Sequence, residues 1–476
     1  MNKKNLICIL IALFQMPVVF AGGILTNTNQ SARFIRLVAL DGITTIDAAY
    51  YNPAGLVKLN DGFHFSVSNQ SAFQTRTITA NFAPFAGYGD NTTKEFVGNA
   101  SAPIVPSIQA AYKTGNWVLS GNLSVSGGGG KATFNRGLPT FESSVAMLPI
   151  LLQSFASQYS LPVTVDKYSV QSYMSGASYI YGLQMGGSYK INEMFSAYGG
   201  FRLNIVNNAY EGNITNIMIN PSSPMSGFGS GEMISANAYL TGLASSPILA
   251  AYKDVILGYA QSTQDKHLKC TQSGWGVTPI LGVNFSYDNW NIGMKYEFRN
   301  ALNVENKTEI DDTGLFADGV NTPHDIPGLF TVGATYQFPK LLVSAGYHYF
   351  SDKQAGMANN KQKSLTGGTN EYLFGLEYQI NDMFAISGGA QVTDYGLSDD
   401  FQSDLSFSLD SYSIGMGGSV KVAKNVLINI GYFWTNYTDY KKNPDNNSVV
   451  SSLTPLMTLT YSRTNKVFAA GVDFSF

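Results

Sequence analysis

The sequence has almost no cysteine, with only Cys8 and Cys270 in 476 residues. Cys8 falls inside an apolar leader, so a processed chain keeps Cys270 alone, which excludes an intrachain disulfide and a thiolate-built metal site. Charge is scarce as well: Asp, Glu, Lys and Arg make up 13% of the chain, against about 25% in soluble domains. The net charge of −3 and the lack of any basic patch give no reason to expect nucleic acid as a partner. The four histidines, His64, His267, His324 and His348, are scattered without metal-ligand spacing, and no Gly-x-Ser-x-Gly elbow precedes a helix. No cofactor, metal or catalytic site is therefore expected. Beyond residue 21 there is also no apolar run of the roughly 20 residues that a membrane-spanning helix requires.

What is present begins with the leader. Lys3 and Lys4 precede the apolar stretch Leu6 to Phe14, and Val19-Phe20-Ala21 supplies small residues before a cleavage point. Residues 1–21 are thus read as a secretory signal peptide. Aromatic residues reach 13%, glycines number 48 and mean hydropathy is −0.02. A value near zero without long apolar runs is what period-two alternation produces, and alternation is the mark of a strand with two unlike faces. Phe195, Ala197, Phe201, Leu203 and Ile205 share one face, with Ser196, Tyr198, Arg202 and Asn204 on the other. The pattern returns in Ile292, Met294, Tyr296 and Phe298 against Asn291, Lys295, Glu297 and Arg299, and again in Tyr372, Phe374, Leu376 and Tyr378 against Glu371, Glu377 and Gln379. Several such stretches are long enough for the 9 to 11 residues or so of a tilted membrane strand.

Polar turns at 113–116, 190–193, 287–289, 338–340, 379–382 and 422–425 alternate with longer connections near 83–102, 128–167, 220–265, 307–325, 352–368, 396–406 and 440–453. Six short turns between seven long loops is the arithmetic of a closed barrel of fourteen antiparallel strands with both chain ends on the short-turn side. A closed barrel leaves no unpaired edge in lipid. The last strand ends Phe468, Ala470, Val472, Phe474, Phe476 on its outer face. Trp117, Trp290, Tyr347, Tyr349, Phe350, Tyr432 and Trp434 stand near strand ends, as interfacial girdles do. The division is a signal peptide at 1–21, a segment at 22–59 that does not alternate, and a barrel at 60–476.

The 22–59 segment closes on Asp47-Ala48-Ala49-Tyr50-Tyr51-Asn52-Pro53-Ala54-Gly55-Leu56, where Pro53 fixes its own backbone angle and pushes Asn52 toward an extended shape. Placed before the first strand, the segment can turn back into the lumen as a plug. This run, with Pro106, Lys113 to Trp117 and Ile326-Pro327-Gly328-Leu329-Phe330, resembles the hatch and strand signals of the FadL long-chain fatty acid transporter family. The resemblance implies an all-β, monomeric, fourteen-stranded outer-membrane barrel with an N-terminal hatch and helical extracellular loops. It further implies an outer groove for first capture, a deeper site by the mature N-terminus, and sideways exit through a kinked third strand into outer-membrane lipid.

Carried onto this chain, Ile24, Leu25 and Phe34 become ligand contacts in the hatch, and Asn52, Pro53 and Ala54 its motif. The Gly127-Gly128-Gly129 run can break a strand ladder. By itself it serves equally as the flexible start of a loop; the resemblance assigns it the kink. Leu148, Leu151, Leu152 and Phe155, with Leu240, Leu243 and Ile248, sit in two apolar loop helices that can hold a greasy solute or simply cap the barrel. Arg202, Lys295 and Arg299 take inward parity and can hold a carboxylate head or pair with neighbouring acids. The expected function is passive, selective passage of a hydrophobic small molecule, a fatty acid or similar lipid or hydrocarbon. A general diffusion porin and an outer-membrane enzyme are the alternatives.

Overall fold

The computed structural model describes residues 26–225, 227–442 and 456–476. The signal segment, Ile24, Leu25 and most of the connection near 440–453 lie outside the described residues. Alternation turns into strands where the sequence placed it. β1 (Gly62–Asn81), β2 (Thr93–Thr114), β3 (Trp117–Phe134), β4 (Tyr168–Lys190), β5 (Phe195–Ile219) and β6 (Lys266–Tyr287) are long. β7 runs in two pieces, Trp290–Glu297 and Asn303–Asp311, and β8 in two, Asn321–Pro323 and Leu329–Gln337. β9 (Leu341–Phe350), β10 (Thr369–Gln379), β11 (Phe384–Asp394), β12 (Ser411–Ala423), β13 (Val426–Tyr437) and β14 (Thr458–Ser475) complete the wall. Neighbours pair antiparallel throughout, and β1 pairs with β14 from His64↔Ser475 to Asn81↔Thr458, closing the cylinder. The fourteen-stranded barrel is thus the observed fold, with all six short turns where they were expected.

The wall has two heights. β1 to β6 run 18 to 25 residues, whereas β9 to β13 run 10 to 13. At about 3.3 Å per residue the first six rise well past the height of a bilayer. The connection expected at 83–102 accordingly ends earlier, because β2 already starts at Thr93, and the one expected at 128–167 begins later, because β3 continues through the glycine run to Phe134. Outward side chains are apolar and exposed, among them Phe201, Leu281, Met294, Phe374 and Ile430. The inward partners Ser196, Arg202, Asn204, Thr278 and Asn284 are buried. An oily outside over a polar inside is the wall of a membrane-spanning barrel. Among the described residues no helix is long and apolar enough to cross a membrane; strands make the crossing.

Residues 26–59 fill the lumen at the short-turn end. α1 (Ala32–Leu37) is capped by Ser31, whose side chain accepts from the Phe34 amide at 3.2 Å. α2 (Ala48–Tyr51) leads into a turn that starts at Pro53. Helices this short are marginal alone, so packing holds them: every residue of α1 is buried, and Phe34 stacks on Tyr51 with centroids 5.6 Å apart. Between α1 and the next turn the chain doubles back through a γ-turn at Val38, with φ 69 and an Ala39 amide to Leu37 carbonyl bond of 2.9 Å. That conformation is strained for a β-branched residue, and the surrounding wall must hold it. The wall makes room with glycine. A side chain at Gly375 or Gly389 would collide with the Leu37 carbonyl, one at Gly415 with that of Ile35 and one at Gly293 with that of Asp41.

At the long-loop end, α3 (Pro139–Ala146) and α4 (Leu148–Gln158) follow β3, while α5 (Ala236–Ala244) and α6 (Lys253–Ser262) follow β5. They pack into one apolar cluster with Phe85 of the β1–β2 connection and with Phe96 and Tyr168 of the extended upper wall.

Candidate functional site

The hatch is seated by matched polar contacts, because its backbone is irregular and buried carbonyls need donors. Gln184 donates to the Ala49 carbonyl at 2.9 Å, Ser188 to Pro53 at 2.7 Å, Ser196 to Ala54 at 2.7 Å and Lys295 to Tyr50 at 2.8 Å. Asn52 ends α2 and donates to Asn284 Oδ1 at 2.7 Å and the Ile43 carbonyl at 3.0 Å. The Asn52-Pro53-Ala54 motif thus docks on β4, β5 and β6. Charges are matched too. Arg36 donates to Asn429 and to Ser387 and pairs with Glu377. Arg33 bonds Thr45 and lies 3.7 Å from Asp47. His348 sits between Asp41 of the hatch at 2.9 Å and Glu371 at 2.8 Å.

This seat also absorbs two of the three expected headgroup cations. Arg202 makes a bidentate pair with Glu297, at 2.5 and 2.9 Å, and Lys295 reaches the same carboxylate at 2.7 Å. Both lie against the Tyr50 ring, 4.8 and 4.5 Å from its centroid. Arg299 is half exposed and leans on Asp325 and the Gln354 carbonyl. Its inward parity is lost where β7 breaks between Glu297 and Asn303. Phe34 belongs to the hatch core, one ring behind Phe433 at 6.3 Å.

Above the hatch lies a cavity of about 540 Å³. Its floor is Thr26 to Asn29, the leading described residues of the hatch. One side is polar, with Gln74, Arg76, Arg463, Asn465, Thr435 and Gln391 from β1, β14, β13 and β11. The other is apolar, with Phe134, Leu138, Met174 and Tyr210. The 395–410 connection supplies a roof through Leu405 and Phe407. The roof is tied down by Asp404, which accepts from the Thr140 amide at the start of α3 at 2.8 Å and from the Thr140 hydroxyl. Lys361 over the Phe401 ring donates to the Ser406 carbonyl at 3.1 Å. Burial pushes the Asp404 carboxyl up. Burial and the nearby Lys442 push Lys361 down to about 7.

The cavity reaches the wall where β2 and β3 part. Their ladder runs from Ile108↔Leu123 to Thr114↔Trp117 and resumes only at Gly98–Ala100 with Ala132–Phe134. Pro103 and Pro106 stand in the unpaired stretch of β2, and proline has no N–H to offer a ladder. Across from them β3 slips register against β4 at Gly127 and again before Gly130, and Gly128 adopts φ +97. The Gly127-Gly128-Gly129 run is therefore an irregular strand rather than the start of a loop. The hatch covers its free carbonyls from inside. Thr26 bridges Gly127, Asn27 donates to the Ser126 carbonyl at 3.0 Å and Gln30 to that of Val125 at 3.0 Å. Cavity floor and wall gap thus share the same few hatch residues.

The outer-loop residues meet each other. Leu148, Leu151, Leu152, Leu240 and Leu243 are buried, Phe155 is half-buried, and the space they enclose is about 20 Å³. The groove expected between α4 and α5 is closed by their own packing, and Ile248 points away, 65% exposed. A shallow depression of about 520 Å³ opens instead between Pro84 and the Pro149, Ile150 face of α4. Arg76 and Arg463 were missed by sequence reading. Each takes inward parity in its own strand, but only the closing register sets one opposite the other. Among the described residues no cluster of three or more His, Cys, Asp or Glu is placed to hold a metal.

No protein-family model matches the chain, and no curated protein does. Solved structures do. A Pseudomonas aeruginosa FadL homologue is 12% identical over 96% of this chain and 100% of its own, with a TM-score of 0.62. A ΔS2S3 mutant of the TodX monoaromatic hydrocarbon channel is 14% identical over 94% of this chain and 99% of its own, TM-score 0.56. The Pseudomonas putida toluene transporter TodX is 14% identical over 91% of this chain and 95% of its own, TM-score 0.52. At these identities the likeness establishes a shared fold: this chain has the barrel fold of the FadL homologue and TodX structures.

Proposed function

We propose that this chain is a bacterial outer-membrane channel for hydrophobic small molecules, with the short turns in the periplasm and the helical loops outside. The observation that carries the reading is one continuous space: a half-apolar cavity, floored by the hatch, that runs to an unladdered stretch between β2 and β3. Solute would adsorb on the outer loops, in the depression beside α4, and settle above Thr26 to Asn29. It would leave sideways through the gap once the hatch residues on Gly127 and Ser126 let go. Burying apolar area, at roughly 25 cal/mol per Å², favours entry, and partition into lipid draws the solute onward. The structural neighbours, a FadL homologue and a toluene transporter, support the same class of cargo. A diffusion porin needs an open lumen, which the seated hatch does not leave.

Expression in cells whose outer membrane has no other hydrophobic channel should speed uptake of a labelled apolar solute, and the purified protein in planar bilayers should show no large steady openings. Large steady openings without faster uptake would favour a porin and overturn the proposal.

A further inference from the structure

The cavity is closed at the top. α3 to α6 pack on each other and on the upper wall, and the space left between α4 and α5 is about 20 Å³, too small to pass a solute. The rest of the cover is the 395–410 connection between β11 and β12, whose middle folds on itself. Ser403 and Ser406 exchange backbone hydrogen bonds of 3.2 and 3.0 Å, and the Gln402 amide group holds both the carbonyl and the N–H of Ser408, at 2.7 and 3.1 Å. At the tip Leu405 lines the cavity, whereas Asp404 reaches α3. α3 has no side-chain cap of its own, since Leu138 stands at its N-cap. Asp404 supplies one from across the lumen, accepting from the Thr140 amide at 2.8 Å and from the Thr140 hydroxyl, where a carboxylate meets the positive end of a helix.

The other holds on this turn are few. Lys361 donates to the Ser406 carbonyl at 3.1 Å, Lys442 to that of Gln402 at 2.9 Å, and the Phe407 ring rests on Tyr461 with centroids 4.8 Å apart. Among the described residues neither Asp404 nor Lys361 has an opposite charge within ion-pairing distance. A buried charge without a countercharge is costly to keep, so the closed turn sits near release, unlike the ion-paired seat of the hatch. From this arrangement we propose that residues 398–408 are the entry lid of the cavity, latched to α3 by Asp404. When the latch opens, Leu405 leaves the cavity mouth and a solute passes between the turn and α3. α3 runs on into α4, and Ala146, Pro149 and Ile150 of this helix pair line the outer depression, so a solute adsorbed there bears on the element that carries the latch. The inference rests on the transport reading and supplies the entry step between the outer loops and the cavity.

The test locks the lid. A Thr140→Cys, Asp404→Cys double variant places two thiols where the latch atoms now touch, and a disulfide there is confirmed by peptide mapping. In intact cells, uptake of N-phenyl-1-naphthylamine through the oxidised variant should fall at least about tenfold, since every entry waits on lid opening. Reductant should restore it to the wild-type rate or above, the latch being gone. The same oxidant should leave the wild-type protein unaffected, because its Cys270 is buried and unpaired. Wild-type uptake through the cross-linked variant would overturn the lid while leaving a hydrophobic channel standing. Because the cross-link can fail to form, Asp404→Ala is measured beside it: uptake should rise by about twofold or more as the open population grows, and the 395–410 connection should become open to protease. A protease-open connection with unchanged uptake would overturn the lid too. Absence of uptake through the wild-type protein would remove the transport reading itself, and the lid with it.

Discussion

Below Thr26 the wall meets the buried charges of the hatch with partners, Arg36 with Glu377 and Asp41 with His348, and gives the Tyr50 carbonyl the Lys295 ammonium, whereas higher in the lumen Arg76 and Arg463 face each other across a strand pair with no acid paired to either among the described residues. The lower half also clears backbone with glycines at Gly375, Gly389 and Gly415; the upper half leaves a cavity. The difference teaches what each half is for. A surface that must stay shut satisfies itself, because a buried unpaired charge costs several kcal/mol. A surface that receives a solute leaves part of its hydrogen-bonding capacity for that solute.

The comparison can be broken first at the seat. Arg36→Ala leaves Glu377 beside Arg33 alone, at 3.8 Å, and empties a fully buried site. Removing one partner of such a pair costs about 3–5 kcal/mol. The urea midpoint of the detergent-solubilised barrel should fall, and residues 26–59 should become open to protease. An unchanged midpoint with a protected hatch would show that the matched charges do not hold the seat. A smaller effect is expected at the roof. Lys361 is held down to about 7 by burial, below its unfolded value near 10.4, so its contribution to roof stability is full at high pH and is lost as pH falls through about 7. Protease nicking of the 395–410 connection should therefore rise from pH 8 to pH 6, and Lys361→Met should flatten the profile. A wild-type profile that is flat, or that rises toward high pH, would contradict that sign.

Much of the fold was legible because each strand states its own parity and each short turn its own polarity. The turns at 190–193 and 379–382 needed no tertiary information. Other features depended on partners far along the chain. The glycine run after Ser126 reads locally as a loop, yet β3 continues through it because β4 pairs on the far side to Phe134↔Met174. Arg299 was assigned inward by counting from Lys295, and the break in β7 after Glu297 spoiled the count. Arg202 and Lys295 face inward as expected, but parity does not say whether an acid waits opposite, and Glu297 does. The apolar loop helices were visible as grease, whereas their mutual packing was not. Arg76 and Arg463 come from the two ends of the barrel, so nothing short of the closing register brings them together.

The most direct measurement is photolabelling of the membrane-embedded protein with an apolar acid carrying a diazirine at its tail, followed by peptide mapping. The account predicts crosslinks on the cavity's apolar side, at Phe134, Leu138 and Met174, that excess dodecanoate suppresses. Labels confined to the lipid-facing belt or the closed α4–α5 contact, unaffected by competitor, would contradict it.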